Sequence, residues 1–122
     1  KKSIYFIQLL SPTTTIKRLK KIIKDSHPMS YFISMLSTTG GELKVSPKEI
    51  IKNYIKIKKI NPKKKVVIGF GITEKTIGKL KSADGLVVGS AICKEISKSL
   101  KHRQNPVTNV SKLVKKLKNK IL

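Results

Sequence analysis

Residues 66–90 read VVIGFGITEKTIGKLKSADGLVVGS, and the fold is decided there. Two short apolar runs, 66–70 and 86–88, are rich in valine and isoleucine and are each followed by glycine. Runs of that length and composition read as strands. Neither shows the strict in-out alternation of a strand with one wet face, so parallel pairing with helices outside is expected. Thr73 is placed to cap a short helix that runs to about Leu80, and Gly89-Ser90 opens another.

Working outward, the same unit repeats. Residues 30–35 form a further strand, followed by a small polar loop, Ser37-Thr38-Thr39-Gly40-Gly41. Ser46-Pro47-Lys48-Glu49 is a helix start, with Ser46 as N-cap, Pro47 in the first helical position and Glu49 completing a capping box. That helix is expected to bury Ile50, Ile51, Tyr54 and Ile57 and to stop before Asn61-Pro62. Residues 4–10 read as the first strand, ended by Ser11-Pro12. Thr14 or Thr15 then caps a helix with Ile16, Leu19, Ile22 and Ile23 at helical spacing, and His27-Pro28 ends the unit. A terminal helix follows Asn105-Pro106, with Val110, Leu113, Val114, Leu117 and Ile121 on one face. Strand then helix, four times over, leaves an open doubly wound sheet or part of a (βα) barrel.

A chain of 122 residues makes one domain, and 39% apolar residues suffice for a core. The formal net charge of +22 raises nucleic acid as a partner. Of the 28 basic residues, however, only Arg18 and Arg103 are arginine, and the lysines are spread over every polar segment. Base and phosphate readers rely on bidentate arginine, so a solvated lysine coat is the better reading, with no specific nucleic acid expected. The lone Cys93 excludes an internal disulfide and a cysteine-type zinc site. No apolar run approaches the length that spans a bilayer, and no membrane association is expected. Gln8 interrupts the opening apolar run and no small-residue cleavage site follows, against a signal peptide. A cytoplasmic location is expected.

In parallel βα folds the reactive end is where strand C-termini and helix N-termini converge. Glycines collect at that end here: Gly40-Gly41, Gly69-Phe70-Gly71 and Gly89. Amides that open a helix have no helical acceptor, and the helix dipole favours an anion beside them. Glycine lets such backbone approach phosphate oxygens, and Ser90 adds a hydroxyl. Any one of these glycines could serve turn geometry alone, but three sets at successive strand ends point to a phosphate site.

The ordered segments SPTTTIKRLKKI, YFISMLSTTGG, VVIGFGI and ADGLVVGSAI resemble the tryptophan synthase alpha subunit. The resemblance covers nearly all of the chain. It implies the C-terminal half of a (βα)8 TIM barrel, parallel strands five to eight with outer helices, over residues 1–122. A complete barrel needs about 250 residues, so roughly 130 are expected on the N-terminal side. The resemblance makes Gly40, Gly71, Gly89 and Ser90 the phosphate cradle, with Phe70, Val87 and Tyr31 lining an apolar slot for an indole ring. Thr39 would be the mobile-loop threonine. The family loop reads like S-R-x-G-V-T-G, whereas Met35 and Ser37 here replace the arginine and the first glycine.

The implied reaction is cleavage of indole-3-glycerol phosphate into indole and glyceraldehyde 3-phosphate. The implied partner is a beta subunit in an alpha2beta2 complex, with pyridoxal phosphate on that partner and no cofactor or metal in this chain. The chemistry needs an acid and a base. Of the six carboxylates, Asp25, Glu49, Glu74 and Glu95 belong to helices, Asp84 precedes a strand at the far end, and Glu42 lies in a lysine-rich loop. No catalytic residue is therefore assigned, and the chain alone is expected to be inactive. His27, His102 and Cys93 are read as structural. Other readings are a different phosphate-binding barrel enzyme, such as a phosphosugar isomerase or a thiazole-forming enzyme, and a basic nucleic-acid-binding protein.

Overall fold

The structure, a computed structural model, describes residues 3–25, 28–34, 37–38, 41–42 and 45–122. In chain order they form β1 (Leu9–Leu10), α1 (Ile16–Asp25), β2 (Met29–Ile33), β3 (Ser37–Thr38), β4 (Gly41–Glu42), α2 (Pro47–Ile60) and β5 (Lys65–Gly69). A 3-10 turn (Ile77–Leu80), β6 (Gly85–Leu86), α3 (Ser90–Lys101) and α4 (Pro106–Asn119) complete the chain.

The main sheet runs β1-β2-β5-β6, with every neighbouring pair parallel. Spatial order thus follows chain order. A doubly wound sheet reverses direction at a switch point; this one never does, and its strands form four staves of a singly wound barrel. The architecture is half of a (βα)8 barrel.

The register makes the two faces explicit. Leu10, Phe32, Ile68 and Leu86 lie in line across the strands, as do Leu9, Tyr31, Val67 and Gly85. The first row faces the helices. Leu10, Phe32, Val66 and Ile68 pack with Leu19, Ile22 and Ile23 of α1 and Ile50, Tyr54 and Ile57 of α2, all buried. The second row lies on the opposite face: Leu9 is 60% exposed, and Tyr31 and Val67 are only half-buried.

Helix starts follow local chemistry. The Ser46 hydroxyl accepts from the Glu49 amide at 3.2 Å, and Pro47 needs no acceptor in the first turn. Thr15 rather than Thr14 caps α1: its hydroxyl accepts from the Arg18 amide at 3.4 Å, while that of Thr14 accepts from Ser11. Asn105 caps α4, its Oδ1 accepting from the amides of Val107 and Thr108.

Several expectations are corrected. The first strand, expected over 4–10, contains only Leu9–Leu10, because its ladder has a neighbour on one side only; Ile4, Tyr5 and Phe6 are exposed. The polar loop after β2 contains a small antiparallel pairing, with Ser37 opposite Glu42 and Thr38 opposite Gly41. The helix expected from Thr73 is a single 3-10 turn at Ile77–Leu80. Thr73 does not cap it; its own amide donates to the Thr76 hydroxyl at 3.0 Å, and its carbonyl accepts from Thr76 and Ile77. On α1, Ile16 is exposed in the first turn, whereas Leu19, Ile22 and Ile23 are buried in the core. On α4, Leu117 is buried and Val110 and Leu113 half-buried, whereas Val114 and Ile121 remain exposed. Cys93, expected to pack, is exposed on α3.

Candidate phosphate site

At the C-terminal ends of β2, β5 and β6 a hollow of about 200 Å³ is lined by Tyr31, Phe70, Gly71, Ile72, Val87, Gly89 and Ser90. Six of the eight site residues expected from sequence thus meet in one place. The other two, Thr39 and Gly40, lie outside the described residues, as do His27 and Met35, one of the two altered loop positions.

Two segments build the polar wall. After β5 the chain turns through Phe70 and Gly71, at φ 68° and 66°, both left-handed. That conformation suits glycine and costs phenylalanine about 1–2 kcal/mol. The turn is nonetheless held: the Ser34 hydroxyl lies 2.8 Å from the carbonyls of both Gly69 and Phe70. The second segment is the start of α3, where Gly89 stands at the N-cap with no side-chain cap. The first amide to bond within this turn is that of Ile92, to the Gly89 carbonyl, so the amides before it are open to a ligand. A β-carbon at Gly89 would meet nothing within 4 Å. The glycine therefore leaves open space above those amides rather than relieving a clash.

The apolar wall is aromatic. The rings of Tyr31 and Phe70 meet edge to face, 6.4 Å apart and inclined at 88°. Phe70 is 57% exposed and Val87 39%, so the slot is open to a ligand on one side. Among the described side chains, no lysine or arginine lines the hollow. Anion binding there would depend on backbone amides, the α3 dipole and the Ser90 hydroxyl.

Carboxylates lie elsewhere. Asp84 is at the opposite end of the sheet, accepting from Lys58 Nζ and the Val66 amide, each at 2.9 Å. Burial pushes its carboxyl up, but hydrogen bonds from Lys58, Val66 and Tyr54 outweigh this and hold its pKa below the ordinary value. Burial, and then the neighbouring Asp84 carboxylate, raise the Tyr54 phenol. Glu74 pairs with Lys116 at 2.8 Å and Lys120 at 3.1 Å, and those hydrogen bonds lower its pKa. Among the described side chains, no carboxylate lines the hollow. Larger concavities flank β1 and α1, one of about 590 Å³ lined by Gln8, Thr15, Lys17, Arg18, Lys21 and Ile22, at the open sheet edge.

Sequence reasoning missed one contributor and the reason for another. Gly69 stands among the strand-end glycines, but what requires glycine there is the Tyr31 ring, which a β-carbon would run into. Ser34 was read only as part of a strand, its one signal being a small hydroxyl residue near the end of an apolar run.

The comparisons with known proteins agree in one direction. The family model for "Tryptophan synthase alpha chain" matches residues 1–122. The curated tryptophan synthase alpha chain of Pelagibacter ubique (strain HTCC1062) is 70% identical over 121 residues, covering 99% of this chain and 46% of the relative. That of Aquifex aeolicus (strain VF5) is 38% identical, covering 93% of this chain and 41% of the relative. The crystal structure of the tryptophan synthase alpha chain from Legionella pneumophila subsp. pneumophila matches with a TM-score of 0.78 at 26% identity, over 96% of this chain and 42% of that one. The chain spans less than half the length of these relatives. With four consecutive staves of a (βα)8 barrel and a family match over its whole length, the chain belongs to the tryptophan synthase alpha chain family.

Proposed function

We propose that this chain is the phosphate-binding half of a lyase that splits indole-3-glycerol phosphate into indole and glyceraldehyde 3-phosphate in tryptophan biosynthesis. The observation that carries this reading is the hollow in which Gly71, Gly89 and Ser90 meet Tyr31, Phe70 and Val87. One wall offers amides to a phosphate and the other offers apolar surface to a flat ring. Each amide or hydroxyl donated to a phosphate oxygen contributes about 1.5–3 kcal/mol.

In the reaction the bond between indole C3 and the adjoining glycerol carbon breaks. The hydroxyl on that carbon gives up its proton as the aldehyde forms, and C3 gains one. Both transfers need groups poised at the reacting atoms. No carboxylate among the described side chains lines the hollow, so this half binds and orients while the acid and base come from the remainder of a full-length alpha chain. By itself the chain is inactive. Indole would pass to a beta subunit in an alpha2beta2 complex, where pyridoxal phosphate resides; this chain carries no cofactor of its own. The setting is the cytoplasm, and no helix among the described residues is long and apolar enough to cross a membrane.

Titration with indole-propanol phosphate and with glycerol phosphate, followed by amide NMR, tests this. Both ligands are expected to move the Gly71, Gly89 and Ser90 signals, and the indole compound is expected to bind more tightly. Equal affinity would assign the chain to a different phosphate-handling barrel. Duplex DNA that stays bound above physiological salt would favour a nucleic-acid-binding protein, since a diffuse lysine coat releases steeply.

A further inference from the structure

We propose that Ser34 is a positioning residue for this site, aiming the Gly71 amide and the Phe70 ring at one ligand through its buried hydroxyl. The proposal rests on the phosphate reading above. Ser34 does not line the hollow and is fully buried. It follows the last ladder pair of β2 and β5, Ile33 with Gly69, and its amide donates to the Gly69 carbonyl at 3.1 Å. Its hydroxyl hydrogen is shared between the Gly69 and Phe70 carbonyls, each 2.8 Å away.

The second of these contacts sets direction. In a planar trans peptide the carbonyl and the following N–H point opposite ways. With the Phe70 carbonyl turned down onto Ser34, the Gly71 N–H is turned away from the core, toward the side on which Gly71 lines the hollow. The same anchor keeps Phe70 at φ 68°, a conformation its side chain disfavours, and so keeps its ring edge-on to Tyr31. One hydroxyl thereby couples the polar wall to the apolar wall.

The test uses the whole 122-residue chain, its Ser34→Ala and Ser34→Thr variants, and indole-propanol phosphate as the probe. The intraresidue amide–Hα NOE of Phe70, strong only where φ is positive, reads the turn directly. In Ser34→Ala that NOE is expected to weaken in the ligand-free chain, while α2 amides such as that of Ile50 keep their shifts. Affinity for the probe should fall about tenfold, as expected from one lost hydrogen bond. Ser34→Thr, which keeps the hydroxyl, is expected to restore both. Should Ser34→Ala not fold, Ser34→Cys, with a weaker donor of similar size, is read in its place. A hydroxyl-free variant that keeps both the NOE and the affinity overturns the proposal. Absence of probe binding in the unmodified chain overturns the phosphate reading instead, and the ligand-free NOE still decides whether Ser34 holds the turn.

Discussion

The Tyr31 ring lies against the α-carbon of Gly69, filling the space that a β-carbon there would occupy. The two residues sit on neighbouring strands, with Tyr31 paired in register to Val67 and Ile33 to Gly69. The ring leans along its strand toward the site, and the absent side chain gives it room. Gly69→Ala is expected to displace the ring and destabilise the chain by about 1–3 kcal/mol, the usual cost of overpacking. Combining it with Tyr31→Ala should recover part of that loss, with a coupling of about 0.5–3 kcal/mol in a double-mutant cycle read by urea denaturation. Strict additivity would show that the two do not compete for space.

Gly89 is the converse case, because a side chain there meets open space. Gly89→Val should leave α3 intact by circular dichroism, with a change in stability of less than about 1 kcal/mol at the N-cap. It should nevertheless abolish phosphate-induced shifts at Gly71 and Ser90. Unchanged shifts would refute the cradle.

Asp84 ties α2 to β5 from the far end of the sheet, through Lys58 and the Val66 amide. Its pKa is held below the ordinary value of 3.8, so it binds protons less readily folded than unfolded. The stability it contributes is therefore complete above the unfolded pKa and is lost as pH falls through the folded one. Asp84→Ala should cost about 1–3 kcal/mol near neutral pH, from the partners left unsatisfied. The gap between variant and parent should close below about pH 4, measured by denaturation across an acid series. A gap independent of pH would assign the loss to packing alone.

Asn105 holds the start of α4 through two amides. Asn105→Ala is expected to lower stability by about 1 kcal/mol, and Asn105→Asp to retain most of it. Thermal melts of both variants provide the comparison.

Apolar side chains at the β1 edge and on the outer helices, among them Ile4, Phe6, Leu9, Leu100 and Val107, are largely exposed. A sheet with open edges and such surface is prone to pair with another chain. The free chain should self-associate, with a sedimentation coefficient that rises with concentration. A concentration-independent monomer would contradict this.

Much was legible in the linear chain. Short valine-rich and isoleucine-rich runs announce parallel strands, and Ser46-Pro47 and Asn105-Pro106 announce helix starts, because capping and backbone restriction act within four residues. The glycine and hydroxyl residues at strand ends were visible for the same local reason. Strand lengths were not: whether residues 4–8 join a ladder depends on a neighbour that the run itself does not specify. The 3-10 turn at Ile77–Leu80 replaced a helix because Thr73 and Thr76 satisfy one another instead of capping one.

The sequence by itself determined the parallel strands and the α-helices, their order and the residue kinds gathered at one end of the sheet, since these follow from periodicity and turn chemistry. Tertiary structure alone decided that Ser34 grips Gly69 and Phe70 from 35 and 36 residues away, and that Tyr31 occupies the space over Gly69. Such contacts arise where parallel strands are brought into register, and a register between distant segments has no local signature in either one.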